Sequence, residues 1–305
     1  MLIIHVGAPR TGSTVLQKNI FKESENTTII SKNPFEGGVP EQTNQKGTTS
    51  YNPKSFLSTE EKLVPKKNSN NAYIFSRILA LTQSTAFANT LGQIELQQIL
   101  ESKLNAAIEQ CINSSPTKEI LISSERLLNT TGSVLCNSNV GKSETEFNIF
   151  TLVKSIKNRT RPLITICLRD PIPHLMSRYF RNKALRENAN LRPLTPSEYI
   201  KKQAKLEKRY PFSSSISASM HTKLIAELQK HCFVKAYGFQ DLINSNHVLE
   251  LIGLQETKQV RFKDFQKENA ALIGTKNNID TEEDIITALK ETGLYAEIAD
   301  CKLFD

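Results

Sequence analysis

Hydrophobic positions along this chain fall into two patterns, short unbroken runs and stripes at helical spacing. Leu2-Ile-Ile-His-Val-Gly7 is apolar except for His5, as expected of a parallel strand covered on both faces. Glu119-Ile-Leu-Ile-Ser123 and Pro162 to Leu168 share that character, and Cys232 to Tyr237 is a fourth strand candidate. Val15, Leu16, Ile20 and Phe21 follow the first run at helical spacing after a glycine turn. Further helical patterns cover roughly Ala72 to Asn113, Glu144 to Asn158, the stripe Met220, Leu224, Ile225, Leu228, and Phe239 to Leu254. Arg169-Asp170-Pro171 is a helix-start signal, with Asp170 as N-cap and Pro171 in the first helical position, for a helix reaching about Glu187. Strands alternating with helices predict an α/β fold of three layers, a mostly parallel central sheet flanked by helices. Asn33 to Asn71 is rich in Asn, Ser, Thr, Lys, Gly and Pro and reads as an exposed insertion at 33–71, suited to a substrate lid. With no internal repeat and no linker composition, one domain over 1–305 is expected.

Composition narrows the class. The 305 residues are 38% hydrophobic and 23% charged, enough to bury a core and neither disordered nor collagenous. No apolar run approaches the roughly 20 residues of a membrane span, and the first residues lack the pattern of a signal peptide. The five cysteines are scattered, without a CxxC pair, and read as reduced thiols, so a cytoplasmic protein is expected. The five histidines form no zinc motif, so no metal is expected. The formal charge of +8 is uneven: Thr151 to Phe212 holds 15 Lys or Arg against four acids. Such a field is either a solvated helix face or a surface for phosphate, sulfate or a polyanion.

Gly7-Ala-Pro-Arg-Thr-Gly12-Ser13-Thr14 lies between a predicted strand and a predicted helix, where backbone N–H groups favour an anion. It matches the glycines and the final hydroxyl of the phosphate loop GxxxxGK[ST], but Ser13 stands where the lysine belongs. Arg10 is the loop's cation, three residues earlier. The fold expected is therefore P-loop-like with altered phosphate chemistry.

His-Val-Gly-Ala-Pro-Arg-Thr-Gly-Ser-Thr resembles the 5′-phosphosulfate loop of sulfotransferases that use 3′-phosphoadenosine 5′-phosphosulfate (PAPS). The resemblance implies that Arg10, Thr11, Gly12, Ser13 and Thr14 hold the phosphosulfate, with Arg10 also acting on the transferring group. A sulfuryl group carries less charge than a phosphoryl group, so backbone amides and one cation can replace a metal ion. The run from Leu163 to Arg169-Asp-Pro, with Ser177 eight residues after the arginine, resembles the 3′-phosphate segment of the same family. Arg169 and Ser177 would bind that phosphate. Ser177 is two helical turns past Asp170, about 10 Å along one face. Phe233 to Leu242 is similar to a strand and short helix of bacterial and carbohydrate-type members, although Gln240 stands where Glu is usual. Arg261 to Asn269 corresponds to the late loop over the nucleotide, which assigns Asn269 to the cofactor while the expected Ser is missing.

Sulfuryl transfer to a hydroxyl needs a group that takes the acceptor's proton. Glu125 follows the run Glu119 to Ser123, at the strand end where open α/β sheets bind ligands, and Ser-Ser-Glu125 resembles a segment of the carbohydrate-type members. Glu125 is the candidate base, against a role capping or salt-bridging the next helix. Arg126 beside it is either acceptor-binding or simply exposed. His5 reads as a hydrogen-bonded core histidine, His174 as a helix-surface histidine on the face of Ser177, and His221 as able to face either way.

The resemblance implies a PAPS-dependent transferase that releases the 3′,5′-bisphosphate (PAP), with a hydroxyl acceptor on a carbohydrate or polysaccharide, and the basic region suits an anionic one. Neither nucleic acid nor a metal is expected as a partner. The alternatives are a P-loop nucleotide kinase or hydrolase, which should carry the loop lysine and a magnesium-binding acid, and a non-catalytic polyanion-binding module, which should carry an aromatic-interleaved basic stripe.

Overall fold

A computed structural model describes residues 1–7, 13–31, 70–115, 117–128, 148–156, 162–209, 216, 221–230, 232–264, 278–299 and 301. Five strands form one sheet in the order β2-β3-β1-β4-β5, every neighbour parallel: β1 Leu2–Gly7, β2 Thr27–Ser31, β3 Glu119–Ser123, β4 Leu163–Leu168 and β5 Phe233–Gly238. The fold is α/β, with helices on both faces of the sheet. Four of the strands are those the hydrophobic runs predict. β2 is an addition, because Thr27-Thr-Ile-Ile-Ser31 is an edge strand with two apolar residues, too few to stand out as a run.

Alternate residues of the strands build two cores. On one face Leu2, Ile4, Val6, Ile120, Ile122, Ile164 and Ile166 meet α2 (Asn70–Thr90), α3 (Ile94–Ser114) and α4 (Asn148–Ile156). On the other, Ile3, Leu121, Cys167 and Tyr237 meet Val15 and Leu16 of α1 (Ser13–Lys18) and the 3-10 turn Ile20–Glu23. A third cluster lies among helices alone, joining α5 (Pro171–Asn188), α6 (Pro196–Arg209), α10 (Asn278–Glu291) and α11 (Tyr295–Ala299). The other helices are α7 (His221–Gln229), α8 (Phe239–Asn244) and α9 (Val248–Leu251).

Two expectations change. The helix predicted over Phe239 to Leu254 is broken into α8 and α9, because Asn246 C=O and Val248 N–H bond to the backbone of Val260 (2.9 and 3.2 Å) in a short parallel bridge. Asp170 occupies the N-cap position of α5 but makes no side-chain cap bond; its carbonyl accepts the His174 N–H at 2.9 Å. The helix α6 is also an addition. Its start is a capping box, Thr195 N–H to Glu198 Oε2 at 2.8 Å and Glu198 N–H to Thr195 Oγ1 at 3.2 Å, with Pro196 in the first position. The expected insertion at 33–71 lies, but for its last two residues, outside the described residues.

Buried carboxylates fasten the amino edge of the sheet. Glu256 accepts from Ser24 Oγ and from the backbone N–H groups of Glu25 and Asn26 (3.1 and 3.2 Å). Glu119 accepts from Thr27 Oγ1 at 3.3 Å and Gln255 N–H at 3.1 Å. Backbone donors offset part of the cost of burying these groups, although Glu119 Oε1 has no hydrogen-bond partner among the described residues.

Gly253 closes α9 at φ 97°, and a Cβ there would come within 3.1 Å of both Leu163 Cδ2 and Thr165 Cγ2 in β4. Gly92, at φ 67°, has open space around the same position. Gly92→Ala should therefore cost about 1 kcal/mol through backbone strain alone, and Gly253→Ala roughly 1–3 kcal/mol more through overpacking. Urea denaturation of the two variants checks this, and equal losses would show that β4 yields to the added methyl.

Candidate functional site

Parallel pairing sends the carboxyl ends of all five strands to one edge. The connection after β1 leads to α1 on one face of the sheet, while the connection after β3 leads to α4 on the other. Adjacent strands whose connections part in this way leave a crevice at their carboxyl ends, the usual ligand position in open α/β sheets. The sequence motifs exit there. Ser13 and Thr14 begin α1, Glu125 begins the 3-10 turn Glu125–Leu128 after β3, and Arg169 follows β4. These exits belong to three neighbouring strands, β3-β1-β4, spaced about 4.8 Å apart. The backbone thus gathers segments that lie 44 to 156 residues apart in sequence. Arg10, Thr11, Gly12 and Asn269 lie outside the described residues, as do the side chains of Ser13, Thr14, Glu125, Arg126 and His221.

Arg169 is half-buried, with its guanidinium carbon 5.3 Å from the centroid of the Phe239 ring. Phe239 is itself met edge-on by Phe262, ring centroids 6.0 Å apart. A cation over an aromatic face keeps its charge while part of its hydration is removed. Ser177 is half-buried on α5, and His174, one turn before it, is fully buried. The expected helix-surface position of His174 is thus corrected: Asp170, His174 and Ser177 share a face, and that face turns inward at His174.

His5 is a hydrogen-bonded core histidine. Its Nδ1 lies 2.9 Å from Ser123 Oγ and its Nε2 2.8 Å from Tyr237 Oη, and the edge of Phe21 packs on the ring at 5.5 Å. Gln17 of α1 donates its amide to Ser123 Oγ at 3.0 Å and to Ser123 C=O at 3.4 Å. Either neutral tautomer satisfies both imidazole nitrogens, since each neighbour is a hydroxyl. Burial pushes the His5 imidazole from 6.5 down to about 4 and raises the Tyr237 phenol well above its usual value, with Cys167 adding to the latter. Sequence reasoning singled out His5 but missed Gln17, Ser123 and Tyr237. The available signal was a pair of polar residues, His5 and Ser123, in otherwise apolar strands; the register places them side by side.

The basic field lies largely on α5 and α6. Arg181, Lys183, Lys201, Lys202, Lys205, Lys208 and Arg209 are exposed. Lys201 pairs with Glu291 at 2.9 Å on α10, which packs against α6. Cys111 and Cys232 are buried thiols pushed up to about 11 by desolvation. Among the described residues no three His, Cys, Asp or Glu side chains are arranged to hold a metal ion, and no helix is long and apolar enough to cross a membrane.

The depressed His5 value has a direct consequence for stability. Unfolded His5 takes up a proton as pH falls through 6.5, whereas folded His5 stays neutral to about 4. The His5 contribution to stability is therefore full above pH 6.5 and falls as pH drops from 6.5 towards about 4, with a slope of up to about 1.4 kcal/mol per pH unit. Denaturant melts at several pH values should show this slope in the native chain and its loss in His5→Gln. The same slope in both proteins would assign the acid sensitivity to other groups.

No protein-family model matches this chain, and no curated protein sequence matches it. Among solved structures, a sulfotransferase from Alicyclobacillus acidocaldarius is similar at a TM-score of 0.45 and 11% identity, over 97% of this chain and 95% of that one.

Proposed function

We propose that this chain is a sulfotransferase that moves a sulfuryl group from PAPS to a hydroxyl on a carbohydrate or polysaccharide. The observation that carries the reading is the sheet order. Three motif segments recognised independently in the sequence leave the carboxyl ends of the adjacent strands β3, β1 and β4. In this reading Arg10 to Thr14 hold the 5′-phosphosulfate, and Arg169 and Ser177 hold the 3′-phosphate, with Asn269 over the nucleotide. The cation held against Phe239 suits Arg169 to that role. The acceptor oxygen attacks sulfur in line, the bond from sulfur to the phosphate oxygen breaks, and PAP departs. Glu125, at the head of the turn after β3, takes the hydroxyl proton. Arg10 and loop amides stabilise the charge that develops on the leaving oxygen. The exposed cations of α5 and α6 would favour an acceptor that is itself anionic.

Binding tests the donor assignment. Adenosine 3′,5′-bisphosphate should bind much more tightly than AMP, and Arg169→Ala should remove most of the difference, since charge-assisted phosphate contacts contribute about 1.5–3 kcal/mol each. Calorimetric titration with both nucleotides, and with ATP plus Mg²⁺, makes the comparison. Equal affinity for bisphosphate and AMP would sink the assignment, and a preference for ATP with Mg²⁺ would favour phosphoryl transfer.

Chemistry is tested separately. Glu125→Gln should leave bisphosphate affinity within a few-fold and lower transfer of labelled sulfate from PAPS to a glycan panel by about 10² to 10⁴. Near-native transfer by this variant would place the base elsewhere.

A further inference from the structure

The buried network on the α1 face of the sheet joins two parts that a transferase would need in fixed relation. Ser123 is the last residue of β3, and its carbonyl belongs to the peptide that leads to Ser124 and then Glu125. Three neighbours fix it. His5 of β1 contacts its hydroxyl at 2.9 Å, Gln17 of α1 donates to both its hydroxyl and its carbonyl, and the next residue, Ser124, donates its N–H to His5 C=O at 3.1 Å. On the far side of His5, Tyr237 extends the chain of bonds to β5 at 2.8 Å. His5, Ser123, Ser124 and Tyr237 are all buried, so none of these bonds is readily exchanged for one to water.

Gln17 is the informative member. It is half-buried and reaches from the helix to the strand end with one amide group. Core packing alone does not require this. Val15, Leu16, Ile20 and Phe21 already seat α1 and the following turn on the sheet, and an apolar side chain at position 17 would not need a polar partner. The amide bonds instead select one orientation of the Ser123 peptide relative to α1. A peptide so held sets the direction in which the chain leaves for Glu125.

We infer that Gln17 and Ser123 are positioning residues, which fix the Glu125-bearing turn against α1 so that the two sides of the crevice move as one body. The catalytic consequence rests on the function proposed above; the mechanical coupling does not. Gln17→Met keeps length and volume but removes the donor, Ser123→Ala removes the shared hydroxyl, and Ser123→Thr retains it.

Two measurements on the full chain test the inference. In hydrogen–deuterium exchange without ligand, Gln17→Met and Ser123→Ala should each speed exchange in both 13–19 and 124–128 while 2–6 and 119–122 stay protected, and Ser123→Thr should resemble the native chain. In steady-state transfer from PAPS, the first two variants should keep KM for PAPS and bisphosphate affinity within about threefold yet lose about 10- to 100-fold in kcat, the scale of a small misplacement of a reacting group. The double variant should be little worse than the poorer single one, because both cut one link. Exchange that rises in only one segment, or not at all, overturns the coupling. A kcat that falls only as far as the folded fraction falls overturns the positioning role. If the native chain neither binds bisphosphate nor transfers sulfate while both segments still loosen together, the sulfotransfer reading fails and the coupling stands.

Discussion

Everything in this fold depends on β1 being satisfied on all sides. It is hydrogen-bonded to β3 along one edge and β4 along the other, with helices over both faces. No water reaches its interior, so each side chain must either be apolar or find a polar partner within the protein. Ile3, Ile4 and Val6 meet the first condition and His5 meets the second, through two neutral hydroxyl partners. The central strand therefore fixes its neighbours twice, by backbone pairing and by one buried ring. The connections that leave β1 and β3 for opposite faces then open the crevice.

That architecture separates two kinds of bond. At the amino edge, Glu119 and Glu256 accept from backbone donors of the same chain. At the carboxyl edge the polar groups are graded. His5, Ser123 and Ser124 are enclosed, Gln17 and Ser177 are half-buried, and Arg169 keeps its charge beside Phe239. The gradient runs from enclosed groups to half-buried ones.

Much of this was legible in the sequence because burial on both faces leaves an unbroken apolar signature, as in β1, β3 and β4. β2 lacks that signature for the converse reason: the Thr27 hydroxyl donates to Glu119 and the Thr28 hydroxyl meets that of Thr117, so neither position needs an apolar side chain. The capping box at Thr195 to Glu198 was a readable signal for α6, hidden beneath the run of basic residues that drew attention to charge. His174 is buried rather than at the helix surface, because helical spacing gives a face but not what covers it. For the candidate site, motif spacing identified the segments, while the adjacency of β3, β1 and β4 and the Gln17 contact with Ser123 are products of tertiary pairing, which no local pattern encodes.

The carboxylate fastening at the amino edge bears on how such a protein can change over generations. Because Glu119 and Glu256 tie β2 and β3 to the segment at Gln255 from the end remote from the crevice, a connection at the crevice can lengthen, shorten or exchange its side chains without cutting these bonds. Innovation in what the protein recognises is thus decoupled from its persistence as a folded object. A protein built on this plan can change what it binds at one edge of the sheet while the carboxylates at the other edge keep their bonds.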